Sequence, residues 1–104
     1  MISSLEKLLG TPRDGALLRY SLGIEYAREG KHERAIEFLR DAVTRDASYS
    51  AAWKALGNAL RDAGRGEEAL DAYRKGIEAA RAKGDRQAEK EMTLFARRLG
   101  AGRK

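Results

Sequence analysis

Few residues in this chain could carry covalent or metal chemistry, and they do not assemble into a set. His32 is the single histidine and there is no cysteine, so no second imidazole or thiolate can join it on a tetrahedral metal. Placed between Lys31 and Glu33, it reads as a solvent-facing turn residue. The serines at 3, 4, 21, 48 and 50 have no histidine at a position to act as their base. Carboxylate pairs such as Glu67 with Glu68 and Glu89 with Glu91 fall on charged helical stretches, where they solubilise and match helix dipoles. No glycine cluster has the strand before it and helix after it that a phosphate-cradling loop needs. The reading is against an enzyme, and no metal or cofactor is expected.

With catalysis set aside, the elements decide what surface is presented. The chain has 104 residues with 11 glycines and 1 proline, a size for one domain and a balance that favours helices joined by short turns. Nothing approaches a membrane-spanning apolar run, and the start Met-Ile-Ser-Ser-Leu-Glu-Lys lacks a signal peptide's layout. A cytoplasmic protein with no membrane partner is the expectation. The net charge of +5 is uneven. Residues 1–49 carry 8 basic and 8 acidic side chains, residues 50–83 carry 7 and 5, and residues 84–104 carry 6 and 3. A basic partner is thereby disfavoured.

Residues 1–10 read as a short N-terminal helix, with Leu5, Leu8 and Leu9 apolar and Gly10 as its stop. Thr11-Pro12-Arg13-Asp14 then supplies a helix start, with a threonine cap, proline at the first helical position and an acid three beyond the cap. That helix is expected to run to about Glu29, with Leu18, Leu22 and Tyr26 on one stripe and Leu17, Tyr20 and Ile24 on the next. A second helix, from about His32 to Arg45, collects Ala35, Ile36, Leu39, Ala42 and Val43 on one side. The two should form an antiparallel hairpin over residues 11–49.

Adding 34 to the landmarks of this hairpin reproduces them. Leu22 falls on Leu56, Gly23 on Gly57, Gly30 on Gly64, Ala35 on Ala69, Leu39 on Tyr73 and Val43 on Ile77. A 34-residue helix-turn-helix unit with Trp53, Leu56-Gly57, Ala69 and Tyr73 resembles the tetratricopeptide repeat. Residues 16–49 and 50–83 are the two copies. The first has Arg19 for tryptophan and Ala47 for the usual proline; the second has Leu60 where tyrosine is usual. Trp53 is expected to fill the space between hairpins, with blue-shifted emission. A third period would put Gln87, Lys90 and Glu91 on the tryptophan, leucine and glycine positions, so the signature is lost there. Residues 84–99 instead read as an amphipathic capping helix, with Ala88, Met92, Phe95, Ala96 and Leu99 on its apolar face, and residues 100–104 as a flexible tail.

The resemblance implies an all-α superhelix fragment in which the first helices of successive hairpins line a concave groove. The side chains it directs there are Leu17, Tyr20, Ile24 and Arg28 in the first copy and Lys54, Asn58 and Arg61 in the second. Lys54 and Asn58 resemble part of the clamp by which some members hold a C-terminal carboxylate, although the next helix would offer Asp85 and Glu89, of the wrong sign. The function implied is a non-catalytic protein-protein interaction module or adaptor. Its partner would be another protein or peptide, with an acidic or C-terminal carboxylate feature suiting the basic end of the groove. A self-associating structural module, such as a homodimer, is the alternative. Nucleic acid is disfavoured: Arg97, Arg98, Arg103 and Lys104 are basic enough, but no nucleic-acid module accompanies them. It stays open whether Leu5, Leu8 and Leu9 cover the apolar end of the groove.

Overall fold

The computed structural model describes residues 2–101. They form six helices: α1 (Ile2–Glu6), α2 (Ala16–Arg28), α3 (His32–Arg45), α4 (Ser50–Asp62), α5 (Gly66–Lys83) and α6 (Arg86–Ala101). No strand occurs among the described residues. The all-α expectation therefore holds. Helix α6 continues two residues beyond Leu99, and the rest of the expected tail, with Arg103 and Lys104, lies outside the described residues.

Helices α2 and α3 form one hairpin and α4 and α5 the next, and α6 packs against α5 and α4. Each hairpin turns on a glycine. Gly30 and Gly64 adopt φ of 74° and 78°, and the amides after them, Lys31 and Arg65, donate back to the Tyr26 and Leu60 carbonyls. This left-handed closure satisfies the helix's last carbonyls and costs least at glycine. Within each hairpin a second glycine admits a large side chain from the opposite helix. A Cβ on Gly23 would lie 2.5 Å from Leu39 Cγ, and one on Gly57 would collide with the Tyr73 ring. The glycines thus receive Leu39 and Tyr73. Tyr73, Leu22, Leu39, Leu60 and Met92 are the largest fully buried side chains.

Four local expectations are corrected. Helix α2 starts at Ala16, with Gly15 before it and no side-chain cap, instead of at Pro12. The Thr11 hydroxyl donates to the Leu8 carbonyl at 2.5 Å and accepts the Arg13 amide, while Asp14 accepts the Gly10 amide at 3.0 Å and two bonds from Arg19. These local bonds hold residues 10–14 in a turn that competes with helix. Arg19 also bonds Asp41 of α3 at 2.9 Å, so an ion-pair network stands where the repeat pattern has tryptophan.

Trp53 is only half-buried: its Nε1–H donates to the Ala47 carbonyl at 2.8 Å, and Lys75 Nζ lies 5.9 Å from its ring. His32 is the first residue of α3 and half-buried, with Nδ1 enclosed and without a hydrogen-bond partner, rather than solvent-facing. The fourth correction concerns register. Helix α4 begins 34 residues after α2, but α6 begins 36 after α4, because α5 is four residues longer than α3 while the connection after it is two residues shorter. Met92, fully buried, therefore takes the place of Leu56, which the 34-residue count had given to Lys90. Gly76 makes the seat: a Cβ there would lie 2.6 Å from Trp53 Cβ and collide with Met92 Sδ.

Candidate binding groove

Helices α2, α4 and α6 are the first helices of successive units, and their neighbouring faces decide what a partner would meet. Tyr20 and Ile24 are half-buried on the side of α2 that turns toward α4. Tyr20 packs on Tyr49, from the turn before α4, with ring centroids 5.0 Å apart. Burial, and after it the neighbouring Tyr20 and Asp46, push the Tyr49 hydroxyl pKa above its ordinary value. Between α2 and α4 lies a shallow cavity of about 260 Å³. Ile24 and Arg28 line it from α2, Asn58 and Asp62 from α4, and Ala55 and Ala59 are small enough to leave it open. Arg28 is exposed and makes only an i,i+3 pair with Glu25 at 2.8 Å, the kind of surface pair that yields readily.

The other expected contact residues are placed differently. Lys54 Nζ sits 2.7 Å from Glu91 of α6, and this lysine, followed by Gln87, holds the Glu91 carboxyl below the usual carboxylate range. Arg61 bonds Asp62 at 3.1 Å and lies 5.8 Å from the Phe95 ring centroid. Asn58 Oδ1 accepts the Tyr73 hydroxyl at 2.5 Å, leaving its amide N–H groups as donors. Lys54 and Arg61 thus work at the α4–α6 junction, and the basic end of the groove is largely neutralised from within. The acid that meets Lys54 is Glu91, not Asp85 or Glu89, because of the register of α6.

Leu17 stands at the N-terminal end of α2 and is 69% exposed. It is not covered by α1, which lies on the other flank of α2, where Glu6 accepts the Tyr26 hydroxyl at 2.6 Å and approaches Arg34 at 3.6 Å. The structure therefore brings Ile24, Arg28 and Asn58 together around one cavity, leaves Leu17 and Tyr20 on α2 outside its lining, and engages Lys54 and Arg61 elsewhere. Sequence reasoning passed over Tyr49, Ala55 and Ala59. Their signal was present, since two alanines one turn apart on α4 oppose large side chains on α2, but small residues read as close packing instead of as an opening.

The tetratricopeptide repeat family profile matches residues 26–89. The TPR repeat-containing protein PA0015 of Pseudomonas aeruginosa is 48% identical over 103 residues, covering 99% of this chain and 98% of that one. The chain belongs to the tetratricopeptide repeat family. Among solved structures, the solution structure of protein BPP2914 from Bordetella parapertussis is 38% identical, with a TM-score of 0.84 over 98% of this chain and 89% of that one. A heat-shock protein cognate co-chaperone of Aspergillus fumigatus, sgt12, is 44% identical over 54 residues, which is 52% of this chain and 16% of that protein. Tetratricopeptide repeat proteins are in general non-catalytic protein-interaction modules, and no helix among the described residues is long and apolar enough to cross a membrane.

Proposed function

We propose that this tetratricopeptide repeat protein is an adaptor that captures a peptide segment of another protein along the α2–α4 face. The observation that carries this reading is the cavity between those helices, with Ile24 at its edge, an alanine floor, and Arg28, Asn58 and Asp62 around it. An apolar side chain of the partner enters against Ile24 and the Tyr20 ring, and burying it supplies most of the affinity. Arg28 and the Asn58 amide supply donors to a carboxylate or backbone carbonyl of the segment, fixing its register. Lys54 and Arg61 contribute only if they leave Glu91 and Asp62, so they are secondary to Arg28. The co-chaperone role of sgt12 is consistent with a protein partner, and the setting we infer is the cytoplasm. No reaction is involved; the mechanism is equilibrium capture.

The test is affinity capture from a lysate of the source organism with wild type and with a Tyr20→Ala/Arg28→Glu variant whose helix content is checked by circular dichroism. A protein held by wild type and lost by the variant supports the groove. Identical capture by both contradicts it.

A further inference from the structure

Among the described residues, α6 packs only against α5 and α4. Ala88 and Met92 are buried on the packed side, with Phe95 and Leu99 half-buried beside them. Arg86, Lys90, Leu94 and Arg97, at intervals of four, four and three residues, share the opposite face, and all are exposed. Both acids of α6 are engaged from neighbouring helices, Glu89 by Arg81 at 3.0 Å and Glu91 by Lys54 at 2.7 Å. Arg86, Lys90 and Arg97 have no ion-pair partner among the described residues.

Two shallow cavities, of about 510 and 360 Å³, lie along this face and adjoin at Glu89 and Lys90, which line both. Arg81 and Arg86 line the first, and Leu94 and Arg97 the second. Four cations thus surround the trough against the single acid Glu89, and that acid is already held by Arg81. Such an excess attracts an anionic partner and repels a basic one. Leu94 stands between Lys90 and Arg97 and is 45% exposed, where a face meant only for solvent would carry a polar side chain. It supplies an apolar anchor among the cations. No aromatic side chain lines either cavity, so the platform on which a single-stranded nucleic acid stacks its bases is missing.

We propose that the outer face of α6 is a second docking surface, which takes an acidic segment of another protein with carboxylates on either side of an apolar side chain. The apolar side chain covers Leu94, and the carboxylates meet Arg86 and Lys90 on one side and Arg97 on the other. From Arg86 to Arg97 the stripe is about 16 Å long, which matches three turns of a helical segment. This surface shares no residue with the α2–α4 cavity, so it goes beyond the groove reading and does not depend on it.

Amide NMR of the labelled protein tests it with three probes: the end-blocked peptide Glu-Glu-Leu-Glu-Glu-Leu-Glu-Glu, its counterpart with glutamine for every glutamate, and a single-stranded DNA octamer. The expected result is a saturable shift of Arg86, Lys90, Leu94 and Arg97 with the acidic peptide, weakened by added salt, and none there with the glutamine peptide. Lys90→Glu/Arg97→Glu should raise the Kd at least about tenfold by setting like charges against the peptide, and Leu94→Ser should raise it too. All three substitutions fall on exposed helix positions, and circular dichroism verifies folding. The proposal is overturned if the acidic peptide shifts nothing, or shifts Ile24, Arg28 and Asn58 in place of α6. It is equally overturned if the DNA octamer binds the stripe as tightly as the peptide and Leu94→Ser changes neither, or if the stripe shifts on concentrating the protein alone, which would give the face to a second copy.

Discussion

At the scale of single residues, the chain is held by a few side chains whose neighbours leave them little choice. Asp14 is one. The Arg19 guanidinium, and after it the Gly10 amide, hold its carboxyl well below the usual carboxylate range. In the unfolded chain the same carboxyl titrates at an ordinary value, so between the two values the unfolded state binds more protons and stability falls on acidification. The contribution is complete at neutral pH, begins to fade below the ordinary carboxylate pKa and is gone once pH drops past the folded value. Denaturant midpoints for wild type and Asp14→Asn should therefore differ at pH 7 and converge in strong acid; a gap that persists there would contradict the clamp. Gly57 is another such residue, because the Tyr73 ring occupies the space a side chain would take. Gly57→Leu should cost about 1–3 kcal/mol or more through overpacking, seen as a lowered Tm, and an unchanged Tm would refute the contact.

At the scale of elements, the sequence was most readable where packing repeats. The 34-residue spacing of Leu22, Gly23, Gly30 and Leu39 onto Leu56, Gly57, Gly64 and Tyr73 foretold both hairpins, and α3 spans His32–Arg45 as its apolar periodicity implied. Two failures have physical causes. The Thr11-Pro12 start looked like a capped helix because residue types alone do not reveal that the Thr11 hydroxyl turns back to the Leu8 carbonyl. The register of α6 was counted from a period that α5, longer by four residues than α3, no longer keeps. Gly76, for which the repeat pattern offered no landmark, leaves room on α5 for both Met92 and Trp53. Met92→Ala should then cost about 2–5 kcal/mol. It should also raise amide hydrogen exchange along α6 more than along α2, and uniform exchange changes across all helices would argue that α6 is not docked through this residue.

At the scale of the whole molecule, the placement of the candidate groove residues was legible in part, and the division follows from charge. Apolar positions such as Tyr20 and Ile24 could be assigned to a face because burial sorts them. Lys54 and Arg61 could not, since a cation on a helix is equally at home with solvent, a ligand or a carboxylate from a later helix, and here Glu91 and Asp62 stand within reach. Around the cavity, Arg28 and the Asn58 amide remain for a partner. The measurement that bears most directly on this account is amide and side-chain shift mapping by NMR as the captured partner segment is added to the labelled protein. The account predicts the largest changes at Tyr20, Ile24, Arg28 and Asn58, with the exposed faces of α3 and α5 unchanged. Changes concentrated on α6 around Leu94, or beside Trp53 between α3 and α5, would contradict it.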